Sequence, residues 1–213
     1  MPVSLHLQQV QRPTYTIELH IPDPQEVQDR YLLEKQVNQH LAFPHWSRLW
    51  PSAIALADFI FQHPELVQDK KVLELAAGLG LPAFIAARYA IAVCCSDYLE
   101  EAVSTMAASA RQLQLTNFRC EVLDWNQLPP DLSADVLLLS DINYDPDQFD
   151  QLYQVLVRFL QQGTLILLAT PQRLMAKPFV ERLLPWCRQQ EEMVITQDQQ
   201  ASTVSILLLQ SAG

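Results

Sequence analysis

Val72-Leu73-Glu74-Leu75-Ala76-Ala77-Gly78-Leu79-Gly80-Leu81-Pro82 runs from an apolar strand, through an acid and a tight turn, into a helix. The 213-residue chain has only four glycines, and two of them fall here. Glycine tolerates φ > 0 and lets a ligand approach the backbone, so their pairing predicts a nucleotide-like ligand at this turn. The other two, Gly163 and Gly213, read as an inter-element turn and a C-terminal residue.

Downstream of the turn, strand-like and helix-like runs alternate, the signature of a mostly parallel sheet covered on both faces. Strands are predicted at 71–75, 92–96, 119–123, 134–140, 164–169, 192–196 and 203–209, and they are rich in Val, Leu and Ile as buried strands should be. Helices are predicted between them at 82–89, 99–113, 146–160 and 173–187. Pro82 and Pro146 suit a first helical turn, with Asp145 as a cap before the second. The polar stretch 197–201 separates the last two strands and predicts a hairpin-like end. The fold class expected is therefore α/β and Rossmann-like, with seven strands, helices on both faces and an antiparallel C-terminal strand.

Upstream the pattern changes. Residues 15–20 alternate like a strand, 25–38 read as a polar helix or loop, and 52–62 as a helix. Residues 1–45 are expected to decorate a domain spanning 46–213, and to serve its substrate side. The many glutamines are dispersed, as on solvated helix faces.

The formal net charge of −10 offers no basic footprint for nucleic acid or an anionic membrane, and favours basic partners. Apolar runs stay far below the ~20 residues of a membrane span, and the N-terminal residues show no secretory pattern. The four cysteines, Cys94, Cys95, Cys120 and Cys187, form no C-x-x-C pair and have no histidines at ligand spacing. Buried thiols in a reduced, cytoplasmic setting, no metal and a monomeric chain are the expectations.

Acids close four successive strands: Glu74, Asp97, Asp124 and Asp141. The carboxyl edge of an open α/β sheet is its ligand crevice, and a carboxylate such as Asp97 can accept both hydroxyls of a ribose. The rival reading of Asp97 is a cap for the helix that follows. A dinucleotide fingerprint competes, as Gly78-x-Gly80-x-x-Ala83 with Asp97 nineteen positions beyond Gly78. Against it, Glu74 faces the turn and three residues separate it from Gly78, which suits a cationic ligand better than a pyrophosphate.

Taken with Trp50-Pro51, Ser96-Asp97-Tyr98, Leu123-Asp124-Trp125 and Leu139-Ser140-Asp141-Ile142-Asn143-Tyr144, the turn resembles a class I, seven-strand S-adenosylmethionine-dependent methyltransferase. Within that superfamily the chain is similar to the protein-lysine methyltransferases marked by an acid-x-x-Tyr motif after the fourth strand. The resemblance covers about residues 46–171. It implies that Glu74, Ala76 and Gly78, with Gly80, line the methionine and ribose region, and that Asp97, beside Tyr98, holds the ribose. Asp124 and Trp125 would flank the adenine, Trp50 would pack beside the cofactor, Ser140 would also belong to the cofactor site, and Asp141 and Tyr144 would face the transfer centre. Trp50 and Trp125 are equally readable as core. Two departures stand out: Ala76 where many such enzymes have glycine, and no asparagine near the end of the helix at 99–113.

Methyl transfer from a sulfonium needs nucleophile, carbon and sulfur in line, so positioning does much of the catalysis. A lysine acceptor, pKa ~10.4 when free, must first become neutral, which an apolar mouth beside a positive sulfonium favours. Asp141 would orient the departing proton and Tyr144 would shape the slot. The expected partner is a protein with an accessible lysine. Rival readings are a small-amine N-methyltransferase of the nicotinamide type, a non-catalytic cofactor-binding protein, and an NAD-dependent oxidoreductase.

Overall fold

The computed structural model describes residues 3–41, 43–197 and 199–211; Gly213, and Asp198 in the expected hairpin loop, lie outside them. The chain begins with β1 (Leu5–Gln11) and β2 (Thr16–Pro22), an antiparallel pair, then α1 (Pro24–Val37), a 3-10 turn at His45–Ser47 and α2 (Pro51–Gln62). There follow β3 (Lys71–Glu74), α3 (Leu81–Ala86), β4 (Ala92–Asp97), α4 (Glu100–Gln112), β5 (Phe118–Val122), β6 (Val136–Ser140), α5 (Phe149–Gln161), β7 (Leu165–Pro171), α6 (Lys177–Leu183), β8 (Cys187–Gln197) and β9 (Gln200–Leu209). Strands β3 to β9 form one sheet in the order β5-β4-β3-β6-β7-β9-β8. β9 is antiparallel to both neighbours, and the pairs from β5 to β7 are parallel, as the alternation of elements predicts.

Strand periodicity of two splits the apolar residues between the faces. Val72, Val136, Leu138, Ile206 and Leu208 belong to one core cluster with α2 and α3. Leu73, Leu137, Leu139, Leu207 and Leu209 belong to another with α5 and α6. On α5 the buried residues Leu152, Val155, Leu156, Phe159 and Leu160 follow helical spacing and make one apolar stripe. α2 is different, with every residue from Ser52 to Ile60 buried. It touches the sheet at β6, β7, β8 and β9, while Arg12, in the turn between β1 and β2, grips its Asp58 from outside.

α1 buries only Val27 among its residues and is held from its ends: the Asp23 carboxylate accepts from the amides of Gln25 and Glu26, and Arg30 pairs with Glu101 at the start of α4.

Three features differ from what the sequence suggests. Leu5–Gln11 is a strand where no element is expected, with six of its seven positions exposed and Val10 buried. The helix expected over 173–187 is a 3-10 turn, a short α6 and a second 3-10 turn, because Pro178 and Pro185 lack the N–H that a continuous helix needs. β8 opens at Cys187, five residues before the expected start. It lies on the sheet edge, where Arg188, Gln189 and Gln190 face solvent and mask its strand character.

Among the described residues, no helix is long and apolar enough to cross a membrane and no His/Cys/Asp/Glu group is arranged to hold a metal. All four cysteines are free, with Cys94 and Cys95 buried.

Candidate active site

β3 is flanked by β4 on one side and β6 on the other, so successive crossovers leave in opposite directions and open a crevice at the carboxyl edge. The turn after β3 floors that crevice. Ala76 (φ 52), Gly78 (φ 57) and Gly80 (φ 73) all adopt left-handed backbone. Both glycines are also required by space: a Cβ on Gly78 would stand 3.1 Å from the Trp46 carbonyl oxygen, and one on Gly80 would stand 2.8 Å from Cys95 Sγ. Ala76 carries the same backbone with a Cβ, at a cost of roughly 1–2 kcal/mol.

Two carboxylates brace the turn. Asp97 at the end of β4 accepts from Gly78 N at 3.0 Å and from Leu99 N at 3.1 Å, joining the loop to the start of α4. Burial raises its pKa, while the amides of Leu99, Gly78 and Tyr98 act the other way. Glu74 is fully buried and does not line the cavity; it stands behind the turn, with Oε2 accepting from Ala83 N at 2.8 Å. Its Oε1 has no protein partner, and burial pushes the carboxyl up to about 8, which favours its neutral form. The amide of Gly78 is thus taken by Asp97 and that of Ala83 by Glu74.

Two adjoining cavities lie above the turn, of about 210 and 330 Å³. Ala76, Tyr98, Trp125 and Tyr144 line both. The first also contains Trp50, Gly78, Gly80, Asp97, Ser140 and Asp141; the second contains Asp124. The Asp124 carboxylate accepts from the backbone and side-chain nitrogens of Asn126, at 2.9 and 2.8 Å. Trp50 donates through Nε1 to the His45 carbonyl at 2.7 Å, which pins the segment before α2 against the cavity.

At the end of β6, Asp141 takes a left-handed backbone (φ 55), and its amide donates to Ala169 O at 2.9 Å. Its carboxylate is gripped by Arg173 through both oxygens. Tyr144 is half-exposed, with its ring 5.2 Å from that of His45 and its hydroxyl held above its usual range by burial. Behind them Asn143 is buried, its Oδ1 accepting from Thr170 Oγ1, and its Nδ2 has no partner.

S-adenosylmethionine presents a sulfonium, a ribose diol, an adenine and an amino-acid end, and the residues present fit those groups. The glycine turn lies along the first cavity, and its missing Cβ atoms leave room for Trp46 and Cys95 to pack against it. Asp97 offers carboxylate oxygens at the β4 edge, and Tyr98 and Trp125 give flat apolar faces between the cavities. The cationic side chains of the first cavity are Arg48 and Arg173, and Arg173 is already paired.

Sequence reasoning missed His45, Arg48, Phe43 and Arg173, which also line the first cavity. Arg173 lies two residues past the end of β7, so the rule that ligands gather at strand carboxyl ends was signal enough to flag it. The other three precede α2, where no periodicity points to a site.

The chain matches, over residues 31–186, the family model described as lysine methyltransferase. It is 32% identical to the histone-arginine methyltransferase METTL23 of Xenopus laevis, over 54% of this chain and 51% of that protein. It is also 32% identical to the electron transfer flavoprotein beta subunit lysine methyltransferase of Danio rerio, over 61% of this chain and 51% of that one. The chain thus spans about half the length of these curated relatives. Among solved structures it is similar to the N-methyltransferase NodS from Bradyrhizobium japonicum in complex with S-adenosyl-L-homocysteine. That likeness has a TM-score of 0.59 at 11% identity and covers 74% of this chain and 85% of that one. It is likewise similar to magnesium protoporphyrin IX methyltransferase from Synechocystis with bound SAM, with a TM-score of 0.57 at 12% identity, covering 75% and 78%. With nearly three quarters of its length inside one family model, this chain belongs to the lysine methyltransferase family.

Proposed function

We propose that the protein is an S-adenosylmethionine-dependent N-methyltransferase acting on a lysine side chain of another protein. The observation that carries this reading is the placement of Asp141 and Tyr144 in the wall of the same cavity as Gly78 and Asp97. An acceptor slot and a nucleoside-shaped turn therefore share one space. When bound, S-adenosylmethionine supplies an electrophilic methyl carbon on a positive sulfur.

The chain's own residues do the rest. Gly78 and Gly80 let the turn take its left-handed backbone beside the cavity, and Asp97 offers its oxygens to the ribose. Tyr98 and Trp125 flank the base, with Asp124 beside it. Trp50 and Tyr144 wall the slot and exclude water, which favours a neutral amine over an ammonium. Asp141 accepts an N–H of the acceptor and aims its lone pair, and Arg173 holds that carboxylate in place. Residues 1–45 frame the acceptor side of the domain at 46–213, in keeping with Phe43 and His45 in the cavity wall.

An arginine acceptor is the second reading. Asp141 already grips a guanidinium with both oxygens, and METTL23 is named as a histone-arginine methyltransferase. Calorimetry tests the cofactor: S-adenosylhomocysteine should bind and NAD should not, and the reverse would defeat the proposal. Labelled S-adenosylmethionine in a cell lysate then tests the acceptor. Label is expected in the protein fraction, whereas label confined to small molecules would favour a small amine.

A further inference from the structure

We propose that His45 is the base that receives the acceptor's proton, a role that rests on the methyl-transfer reading above. In that reaction the nitrogen lone pair forms the N–C bond as the C–S bond breaks with its electron pair going to sulfur. The nitrogen must shed one proton for each methyl gained. Free lysine is almost wholly ammonium at neutral pH, with a pKa of ~10.4, so a base at hydrogen-bond reach speeds the reaction.

The cavity narrows the choice. Asp141 is paired with Arg173 through both oxygens and Asp97 accepts two backbone amides, so each carboxylate has room to orient a ligand group but is already committed to holding its neighbour. The Tyr98 and Tyr144 hydroxyls sit above their ordinary values through burial and are protonated at neutral pH. Arg48 and Arg173 are cations. His45 is the imidazole of the first cavity's described lining, a base that is neutral above its own titration and holds no neighbouring side chain in place.

Its setting suits the task. The ring lies among those of Phe43, Trp50 and Tyr144, with centroids 5.1, 5.6 and 5.2 Å away. The backbone is fixed, because the His45 carbonyl accepts from Trp50 Nε1 and its amide donates to Phe43 O. Among the described residues neither ring nitrogen has a hydrogen-bond partner, so a neutral imidazole keeps its acceptor lone pair for a ligand. Burial holds the imidazole below its ordinary value; Asp141 at the end of β6 opposes this, while Arg173 after β7 and Arg48 before α2 reinforce it. His45 is also partly exposed to solvent, which gives the proton a way out to water.

The test joins an NMR titration of the histidines, made without substrate, to the pH profile of turnover on a lysine peptide. In the unmodified protein the His45 signal should titrate below pH 6.5, and kcat should be flat from about pH 7 to 9. In His45→Gln, kcat should be depressed at pH 7 and climb about tenfold per pH unit, as the acceptor's own ionisation takes over. Retained S-adenosylhomocysteine binding would show that the variant is folded. A His45 that titrates above pH 7, or a variant lowered by one factor at every pH, would overturn the proposal. Absence of transfer by the unmodified protein would overturn the methyl-transfer reading and this role with it.

Discussion

Asp141 joins a left-handed backbone to a carboxylate that meets Arg173. Asparagine tolerates that backbone where alanine pays roughly 1–2 kcal/mol. Asp141→Asn should therefore stay within about 1 kcal/mol of the parent in denaturant unfolding, yet lose roughly 100-fold or more in kcat/KM. Near-parental turnover would remove the carboxylate from the reaction. Glu74 makes a different prediction. Its folded pKa is raised from 4.5 to about 8, so through that window the unfolded chain releases a proton that the folded protein keeps. Stability is therefore greatest below the window and falls as pH rises through it, by up to about 1.4 kcal/mol per unit, then levels above pH 8. Glu74→Gln cannot titrate and should flatten that decline, gaining on the parent as pH rises from 5 to about 8. Parallel stability profiles would show that Glu74 ionises normally. The acidity of Glu74, Asp97, Asp124 and Asp141 was legible because strands and turns announce their ends. Which face each carboxylate takes was not. Glu74 turns to the Ala83 amide behind the loop, a choice made by the packing of α3 on β3 and by no local pattern.

At the scale of elements, the parallel core was readable because buried strands are apolar and helices such as α5 keep a clear stripe. The periphery was not. β8 is polar because it is an edge strand, and α1 is held by its cap and by Glu101 more than by an apolar face. The β1–β2 pair is tied to α2 by Arg12 and Asp58, which meet at 2.6 Å with Asp58 only 8% exposed. Tyr15 packs beside them, and its hydroxyl is driven far above its ordinary range by burial. Asp58→Ala strands a half-buried guanidinium and should cost about 3 kcal/mol in denaturant unfolding. The double change Arg12→Met with Asp58→Leu should cost much less, since it removes both charges. Equal losses in the two variants would mean that packing, not the ion pair, fixes the hairpin.

Over the whole molecule, the net charge of −10 favours approach of a basic protein segment over that of a free anion. KM for a lysine peptide flanked by basic residues should therefore rise as salt goes from about 0.05 to about 0.5 M, with kcat little changed. A KM indifferent to salt would deny the surface any part in recognition. The decisive measurement is tandem mass spectrometry of basic proteins incubated with the enzyme and S-adenosylmethionine bearing a deuterated methyl group. The account predicts the labelled methyl on lysine Nζ, and its loss with Asp141→Asn. Label on arginine nitrogen or on a small amine, with lysine unlabelled, would contradict it.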